Sequence, residues 1–354
     1  MTEPSRSFEL QCPVPLPGGN AIQMAHGGGG TLTNDLIDRV FRKAFSSDDP
    51  ALRHDSSVLD IPGVLAFTTD SYVIKPIFFP GGDIGSLAVT GTVNDLAMSG
   101  ARPVALSAAF ILEEGLPIDV LERLAASMRQ AADQAGVRIV TGDTKVVDRG
   151  KGDQVFITTA GVGRIQHPWT IRPSSVKQGD VVILSGDLGR HGTSILAVRE
   201  GLAFETPIVS DCAPLWPAVE ALLASGVEIH CLRDLTRGGL CSAVNEIARD
   251  SQTNLLLEEG SIAVPGPVKA ACELLGLDPL TVANEGRFAA YVPGAQAERA
   301  LSALRQVEVS RAAAPVGRVE SLPPGERPRV RLKTSLGAER FLDMLTGEPL
   351  PRIC

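Results

Sequence analysis

The chain has 354 residues, which is too long for a single ordinary hydrophobic core and predicts two domains. A hydrophobic content of 44% with 21% charged residues is typical of a globular protein, and a formal net charge of -8 argues against nucleic acid or an anionic membrane as a partner. No basic start followed by an apolar run marks a targeting segment, and no apolar run is long enough to span a membrane. We therefore expect a cytoplasmic protein.

The N-terminal part of the chain combines prolines and glycines. Residues 1–25 contain proline-rich turns and little periodicity, which predicts a loosely ordered arm. The arm leads into a run of four glycines, Gly27, Gly28, Gly29 and Gly30. A predicted amphipathic helix over residues 33–45 follows. Backbone N–H groups of such a turn at a helix N-terminus can bind phosphate, although a flexible linker would have the same composition.

Between residues 26 and 165 predicted strands alternate with helices, which is typical of an α/β domain. The strands are predicted at residues 64–70, 103–112, 137–140 and 155–159, and the helices at residues 84–98 and 117–135. Three acids, Asp70, Asp95 and Asp143, lie beside strand ends or on a helix that flanks a strand. Because loops at strand ends meet at one rim of such a domain, we expect these acids to line a common site.

A segment with two prolines, residues 166–179, is interpreted as the connection to a second domain over residues 180–345. The strands predicted in that domain are at residues 180–184 and near residue 255, with two further strands that close the domain. The predicted helices are at residues 193–200, 215–224, 268–275 and 295–306, with another helix that ends at residue 249. This mixture predicts an α+β domain.

Residues 346–354 form a predicted mobile tail that ends in a cysteine, Cys354. The other five cysteines are widely spaced, without a C-x-x-C pair, and are interpreted as reduced and mostly buried. Pro349 and Pro351 stiffen the tail, which lowers the entropic cost of inserting it into a groove. At about 3.3 Å per residue the tail could span roughly 30 Å, so its thiol could enter a distant site. A frayed terminus is the alternative interpretation.

The three acids are candidate magnesium ligands. Carboxylates supply the hard oxygen ligands that Mg²⁺ prefers, and Mg²⁺ bridges phosphates in an acidic site. For any one of Asp70, Asp95 and Asp143 the alternative is a helix cap or a solvated turn. Lys145 follows Asp143 by two residues and adds a cation to the same stretch. The Walker and dinucleotide-binding glycine motifs are absent from the sequence, so an ATP site here would be of another type.

These motifs resemble the HypE family of hydrogenase maturation proteins, in the superfamily of aminoimidazole ribonucleotide synthetase, selenophosphate synthetase and thiamine-monophosphate kinase. The resemblance covers nearly the full chain after about Gly27, and its terminal tetrad is specific to this family. The matching stretches are TTDSYVI at 68–74, FFPGGDIG at 78–85, GTVNDLA at 91–97, ILEEG at 111–115, TGDTKVV at 141–147, RDLTRGG at 233–239, ANEG at 283–286 and PRIC at 351–354.

The resemblance implies a two-domain aminoimidazole ribonucleotide synthetase-like fold, α/β and α+β, with a flexible C-terminal tail. It also implies a homodimer in which the first domains pair their strands. In such a protein Cys354 receives a carbamoyl group from the carbamoyltransferase HypF, and ATP with Mg²⁺ supports its dehydration to a thiocyanate. The cyano group then passes to iron on a HypC–HypD complex during the assembly of [NiFe]-hydrogenase.

The resemblance also assigns roles to residues. Cys354 is the implied acceptor, and Glu285 and Lys145 are candidates for proton relay or for orienting the amide. The implied metal ligands are Asp70, Asp95 and Asp143. The implied nucleotide-binding residues are Gly27, Gly28, Gly29, Gly30, Asn94, Thr144 and Asn284.

Some positions keep other interpretations. His54-Asp55 stands where many relatives have two adjacent acids, so Asp55 is not assigned to metal, and His191 is interpreted as a turn residue, with phosphate or tail contact as the alternative. Two other functions were weighed: another ATP-dependent amide- or acid-activating synthetase or kinase of the superfamily, and a metal-delivery scaffold in which Cys354 binds iron or nickel. The terminal thiol argues against the first function, and the lack of a second soft ligand near the tail argues against the other.

Overall fold

A computed structural model describes residues 19–45, 56–202, 207–344, 347 and 352–353. Cys354, Cys12 and Asp55 lie outside the described residues. Within the described part of the chain, no helix has both the length and the apolar character needed to cross a bilayer.

The first half of the chain forms a four-stranded sheet covered on one face by helices. Its elements, in chain order, are α1 (Thr31–Leu36), a π-helical turn (Ile37–Arg42), α2 (Lys43–Phe45), β1 (Val64–Tyr72), β2 (Phe78–Phe79), β3 (Gly82–Asp83), α3 (Ile84–Met98), β4 (Ala101–Glu113), α4 (Ile118–Ala135), β5 (Arg138–Val147) and β6 (Val155–Ile165). The strand order is β1-β6-β4-β5, in which only β4 and β5 are parallel. Helices α3 and α4 pack on one face of this sheet and against each other.

The opposite face of the first sheet, here called the open face, has no helix on it among the described residues. Along β1, residues alternate between half-buried positions that face α3 and exposed positions that face away. Large apolar side chains are exposed on or beside the open face: Phe67 is 71% exposed and Ile111 42%. A sheet with exposed apolar residues on one side is typical of a surface that a partner covers.

Helix α3 lies at the junction of the two halves of the chain. Asp83 caps its N-terminus by accepting hydrogen bonds from Gly85 N (2.8 Å) and Ser86 N (2.9 Å). Nearly all of the helix is buried, because the first sheet covers one side and elements of the second half cover the other. A helix that is apolar all round is expected in such a position. Asn94 of this helix is bonded to the second half, through Ala213 O and Leu215 N.

The second half forms a seven-stranded sheet with helices on both faces. Its elements are β7 (Asp180–Leu184), α5 (Arg190–Arg199), α6 (Trp216–Ala224), β8 (Cys231–Asp234), α7 (Gly239–Ser251), β9 (Asn254–Glu258), α8 (Gly266–Leu275), β10 (Phe288–Pro293), α9 (Ala297–Arg305), β11 (Ala314–Glu320), β12 (Val330–Lys333) and β13 (Glu339–Phe341). The strand order is β13-β12-β9-β11-β7-β10-β8, and only β9 and β12 are parallel. Helix α7 packs on one face and α6 with α9 on the other.

The structure differs from the sequence prediction at several elements. Strand β5 extends to Val147, so Asp143 lies inside a strand and not after one, and Asp70 lies inside β1 for the same reason. Strand β10 was not predicted, because its residues are buried on both faces and show no alternation. Three short strands close the chain where two were expected. The described end of the predicted arm is packed: Ile22 is buried and its N–H donates to Leu116 O (2.7 Å).

Candidate active site

Four carboxyl groups from separate parts of the chain interact at the junction between the two halves. We call Asp70 on β1, Asp95 on α3, Asp234 at the end of β8 and Glu285 before β10 the acidic cluster. Each of the last three has a pKa that is raised first by burial and then, in part, by other members of the cluster, and that of Asp234 reaches about 7. The Thr68 hydroxyl donates to Asp95 Oδ2 (2.8 Å), which partly offsets the effect of burial on Asp95.

A cavity of about 370 Å³ opens beside this cluster. Its walls include Thr68 and Asp95 from the first half and Arg233 and Asp234 from the second. The charge of Arg233 lowers the pKa of Asp95 and Asp234 only in part, so both values stay raised, and a divalent ion would offset the remaining negative charge. Carboxylate oxygens from Asp95 and Asp234 therefore fit Mg²⁺ chemically.

Glu285 is the most enclosed member of the cluster. Its side chain is 3% exposed, and Oε1 has no hydrogen-bond partner among the described residues. Burial raises its pKa well above the ordinary value, and the neighbouring Asp234 and Asp211 add to the increase. Asn94 Nδ2 donates to the Glu285 backbone oxygen (3.2 Å) and fixes the residue against α3. A buried carboxyl with a raised pKa is suited to proton transfer near neutral pH.

Residues 208–215, here called the crossing segment, pass between the two halves beside Glu285. Ser210 N donates to Pro80 O (2.9 Å), and Leu215 N donates to Asn94 Oδ1 (2.8 Å). Asp211 Oδ2 accepts from Gly286 N (3.0 Å), whereas its Oδ1 is buried and has no partner among the described residues. A Cβ atom at Gly286 would lie 1.8 Å from Asp211 O, so glycine is required for this close approach. The ANEG stretch therefore sets Glu285 against a second buried acid.

Two described residues of the tail, Arg352 and Ile353, are docked against both halves of the chain. The Arg352 guanidinium donates to Val73 O (3.0 and 3.1 Å) and pairs with Asp153. Arg199 and the backbone N–H of Lys75 both donate to Arg352 O. Ile353 is 3% exposed within the first hydrophobic core. The residue that follows, Cys354, lies outside the described residues, but the tail enters the protein immediately before it.

The other candidate catalytic residue, Lys145, lies elsewhere on the first sheet. It is exposed on β5 and pairs with Asp143 (2.6 Å), and this hydrogen bond lowers the Asp143 pKa. In the sheet, Asp143 of β5 lies opposite Ala109 of β4, and its side chain is on the open face. Asp70 lies on the helix-covered face. Three strand spacings separate β1 from β5, or roughly 14 Å.

Within the residues that the structure describes, no group of three or more potential ligands forms a metal site.

The two candidate asparagines support loops. Asn94 is hydrogen-bonded at both side-chain atoms, to Ala213 O, Glu285 O and Leu215 N. Asn284 Oδ1 accepts from Gly189 N (2.7 Å), and its Nδ2 donates to backbone oxygens. In this structure both side chains hold the loops around the acidic cluster in place. Nucleotide contact by these residues stays a prediction.

The glycine run lies next to β5. Gly27 ends a short 3₁₀ helix, and a Cβ atom there would be 2.8 Å from Val146 N. The next three glycines are exposed, and Gly29 N donates to Thr33 Oγ1 (2.9 Å). Thr144 is half-buried on β5, close in sequence to Val146. The glycine run and Thr144 are thus on the same side of the molecule, and phosphate binding by them stays a prediction.

Sequence reasoning missed two acids of this region, Asp234 and Asp211, and it gave contact of His191 with the tail only as the alternative. Asp234 stands in the RDLTRGG stretch, where an acid next to Arg233 and three residues before Arg237 resembles a surface position. Asp211 has no motif that marks it. The interpretation of His191 as a turn residue is wrong, because it is fully buried in the first turn of α5 and contacts the tail.

Comparison with known families places the chain in a class. Residues 53–165 match the family model described as "AIR synthase related protein, N-terminal domain", and residues 177–326 match "AIR synthase related protein, C-terminal domain". The chain is thus an AIR synthase-related protein, which confirms the predicted fold class.

Individual relatives narrow the class. Carbamoyl dehydratase HypE of Azotobacter vinelandii is 50% identical over 335 residues, which are 94% of this chain and 97% of that protein. A crystal structure of HypE in complex with ATP has a TM-score of 0.89 at 46% identity and covers 94% of this chain and 99% of that one. A chain of a HypE–HypF complex has a TM-score of 0.77 at 42% identity and covers 88% of this chain and 99% of that one. The chain belongs to the carbamoyl dehydratase HypE family, as the sequence motifs predicted.

Proposed function

We propose that this protein uses ATP to dehydrate a carbamoyl group that is bound to its own Cys354, forming a thiocyanate that supplies the cyanide ligand of the iron in [NiFe]-hydrogenase. The observation that supports it best is the docked tail. Arg352 and Ile353 direct the chain end into the protein beside the crossing segment, which holds Asp211 against Glu285. The relatives named carbamoyl dehydratase match this chain over 94% of its length.

The reaction removes one oxygen and two protons from the thiocarboxamide S–C(=O)–NH₂. An amide oxygen is a poor leaving group, so ATP transfers its γ-phosphoryl group to that oxygen as one N–H proton leaves. Loss of the second N–H proton with expulsion of phosphate leaves S–C≡N. The overall products are the thiocyanate, ADP and phosphate.

Glu285 is the group best placed to accept these protons. Its buried carboxyl, with an unpaired oxygen, can hold a proton in a site from which bulk water is excluded. Lys145 stays a second candidate. Lys145 lies on the open face of the first sheet, so it would contribute to proton transfer only at the interface with a second copy of the chain.

ATP binding is consistent with the relative that was crystallised with ATP. We propose that the nucleotide lies between the two halves, with the exposed glycine run near its phosphates. Asp95 and Asp234 would hold Mg²⁺, with Asp70 as a further candidate; Asp143 lies on the open face and would contribute across the interface with a second copy. When bound, Mg²⁺ neutralises phosphate charge and orients the γ-phosphoryl group.

The proposed partners follow from the same family. HypF, which forms a complex with a relative, would donate the carbamoyl group, and a HypC–HypD complex would accept the cyano group. The open face of the first sheet supports a homodimer, because a second copy would cover Phe67 and Ile111. We expect all of these steps to take place in the cytoplasm.

The test is a Cys354→Ala variant incubated with the carbamoyl donor system and ATP, followed by peptide mass spectrometry. We expect ATP affinity to be unchanged and all carbamoyl loading to be lost, since alanine removes the only acceptor thiol without disturbing a core. Cys272→Ala serves as the control, because its thiol is buried. A carbamoyl group found on Cys272 or another cysteine would contradict the proposal.

A further inference from the structure

The side chain of His191 connects the tail to the crossing segment. It is fully buried in the first turn of α5, with the Phe79 ring edge-on at 5.4 Å between ring centroids. Both ring nitrogens are used: Nε2 lies 2.6 Å from Ile353 O, and Nδ1 lies 2.8 Å from Ser210 Oγ.

The chemistry of these three groups fixes the position of the imidazole proton. A carbonyl oxygen can only accept, so His191 Nε2 must carry a hydrogen and donate it to Ile353. Cys212 N–H can only donate, and it donates to Ser210 Oγ (3.1 Å). The hydroxyl hydrogen of Ser210 is then available to His191 Nδ1, which accepts it in the neutral ring. The hydrogen bonds form one consistent series from Cys212 through Ser210 and His191 to the tail.

Burial keeps the ring neutral. It lowers the His191 pKa, and the hydrogen bond to Ile353 O and the charge of Asp211 oppose that effect only in part. A neutral ring has a single hydrogen, and the Ile353 carbonyl requires it on Nε2, so that Ser210 donates to Nδ1.

The contacts of Arg352 are of a different kind. Its side chain is 37% exposed, and its partner Asp153 is 29% exposed, so this pair is screened by solvent. The backbone of Arg352 is held by Arg199 and Lys75 at the edge of the protein. These contacts hold the tail near its entry, one residue earlier than the His191 contact.

We propose that His191, oriented by Ser210, is the positioning residue that fixes the carbonyl group of Ile353, the last residue before the proposed acceptor Cys354. The proposal rests on the proposed function, in which Cys354 bears the reacting group. His191 does not touch the reacting atoms in this scheme. Its contribution is to hold a flexible chain end in one position, which a reaction that needs placement within a few tenths of an ångström requires.

The experiment compares full-length His191→Ala, His191→Gln and His230→Ala with the wild type. The glutamine amide can place an N–H close to the position of Nε2 and should restore the contact. His230 is the matched control, because it is also a buried histidine but bonds to Asp180 and Glu228. The readouts are the rate of Cys354 alkylation by a bulky maleimide, from mass spectrometry of the C-terminal peptide, and single-turnover conversion of carbamoylated Cys354 to thiocyanate.

We expect His191→Ala to raise the alkylation rate roughly three- to tenfold, which corresponds to one net hydrogen bond, and to slow conversion by at least as much. His191→Gln should recover most of both values, ATP affinity should stay constant, and His230→Ala should match the wild type in alkylation. Wild-type alkylation and conversion in His191→Ala would overturn the proposal, as would a glutamine variant no better than alanine.

If His191→Ala does not fold, Ser210→Ala gives the same test. It removes only the hydroxyl that orients the ring, and we expect a smaller change in the same direction; no change in alkylation would again overturn the proposal. Failure of the proposed function has a different signature: the wild-type protein would form no thiocyanate, while the alkylation rates would still differ between His191→Ala and the wild type.

Discussion

The carboxyl group of Glu285 has an energetic cost that its function would explain. Its folded-state pKa is raised well above the ordinary value, chiefly by burial. The contribution of the protonated Glu285 carboxyl to stability is therefore fully present below the unfolded-state pKa of about 4.5 and is lost as the pH rises from there towards the folded-state value. A residue that weakens the fold at neutral pH is expected at a site that needs it for proton transfer.

We therefore expect Glu285→Gln to raise the melting temperature, by about 4 °C or more at pH 8, and by progressively less as the pH falls towards 4.5. The same variant should lose thiocyanate formation while it retains carbamoyl loading. Thermal melts at several pH values and mass spectrometry of Cys354 measure the two effects. Glu308→Gln is the control, because that side chain is 80% exposed. A lower melting temperature at pH 8 would show that the ionised carboxylate is stabilised in the fold.

A second prediction for single residues concerns the metal. Asp95→Asn and Asp143→Asn should each weaken Mg²⁺-dependent ATP binding roughly tenfold or more without unfolding the protein, because each removes negative charge from a proposed ligand. Calorimetric titration with ATP, with and without Mg²⁺, measures the change. Asp148→Asn, at an exposed position, should have no effect. Wild-type affinity in both variants would exclude these two acids as ligands.

Local sequence patterns predicted the bounds of a helix or strand correctly where one physical signal dominated. The helix predicted at residues 84–98 has these bounds in the structure, where Asp83 caps its N-terminus. Alternation could not show on which face Asp143 lies. The pairing of β4 with β5 shifts by one residue between Leu106 and Ser107, and such a bulge reverses the faces of the residues that follow. Asp211 and Asp234 could not be found, because their burial comes from segments that are distant in sequence.

The open face of the first sheet gives a prediction for that element. Phe67→Glu should convert a dimer to a monomer, because it places a charge in the middle of the proposed apolar interface. Light scattering after size-exclusion chromatography measures the mass. Leu336→Glu is the matched control, since Leu336 is 95% exposed near the closing strands of the second half. If Phe67→Glu stays dimeric, the copies associate through another surface.

At the level of the whole molecule, the chain end must enter the protein before it can react. Adding a few residues after Cys354 should therefore abolish thiocyanate formation, whereas the same residues added before Met1 should not. Carbamoyl loading should survive in both proteins, because the partner enzyme can act on the tail in solvent. Mass spectrometry of Cys354 separates the two steps. Equal conversion in both proteins would contradict a closed site that admits only a chain end.

The docked tail also joins the two halves of the molecule. Val73 and Asp153, which bind Arg352, belong to the first half, whereas Arg199 and His191 belong to the second. When the tail leaves to bind another protein, these contacts are lost together, and the junction loses the interactions that connect its two sides. By thermodynamic linkage, a partner that binds the free tail must supply at least the free energy of these contacts. Binding of the tail by such a partner therefore also weakens the association of the two halves. Loading the tail and opening the junction are thus coupled by the same contacts.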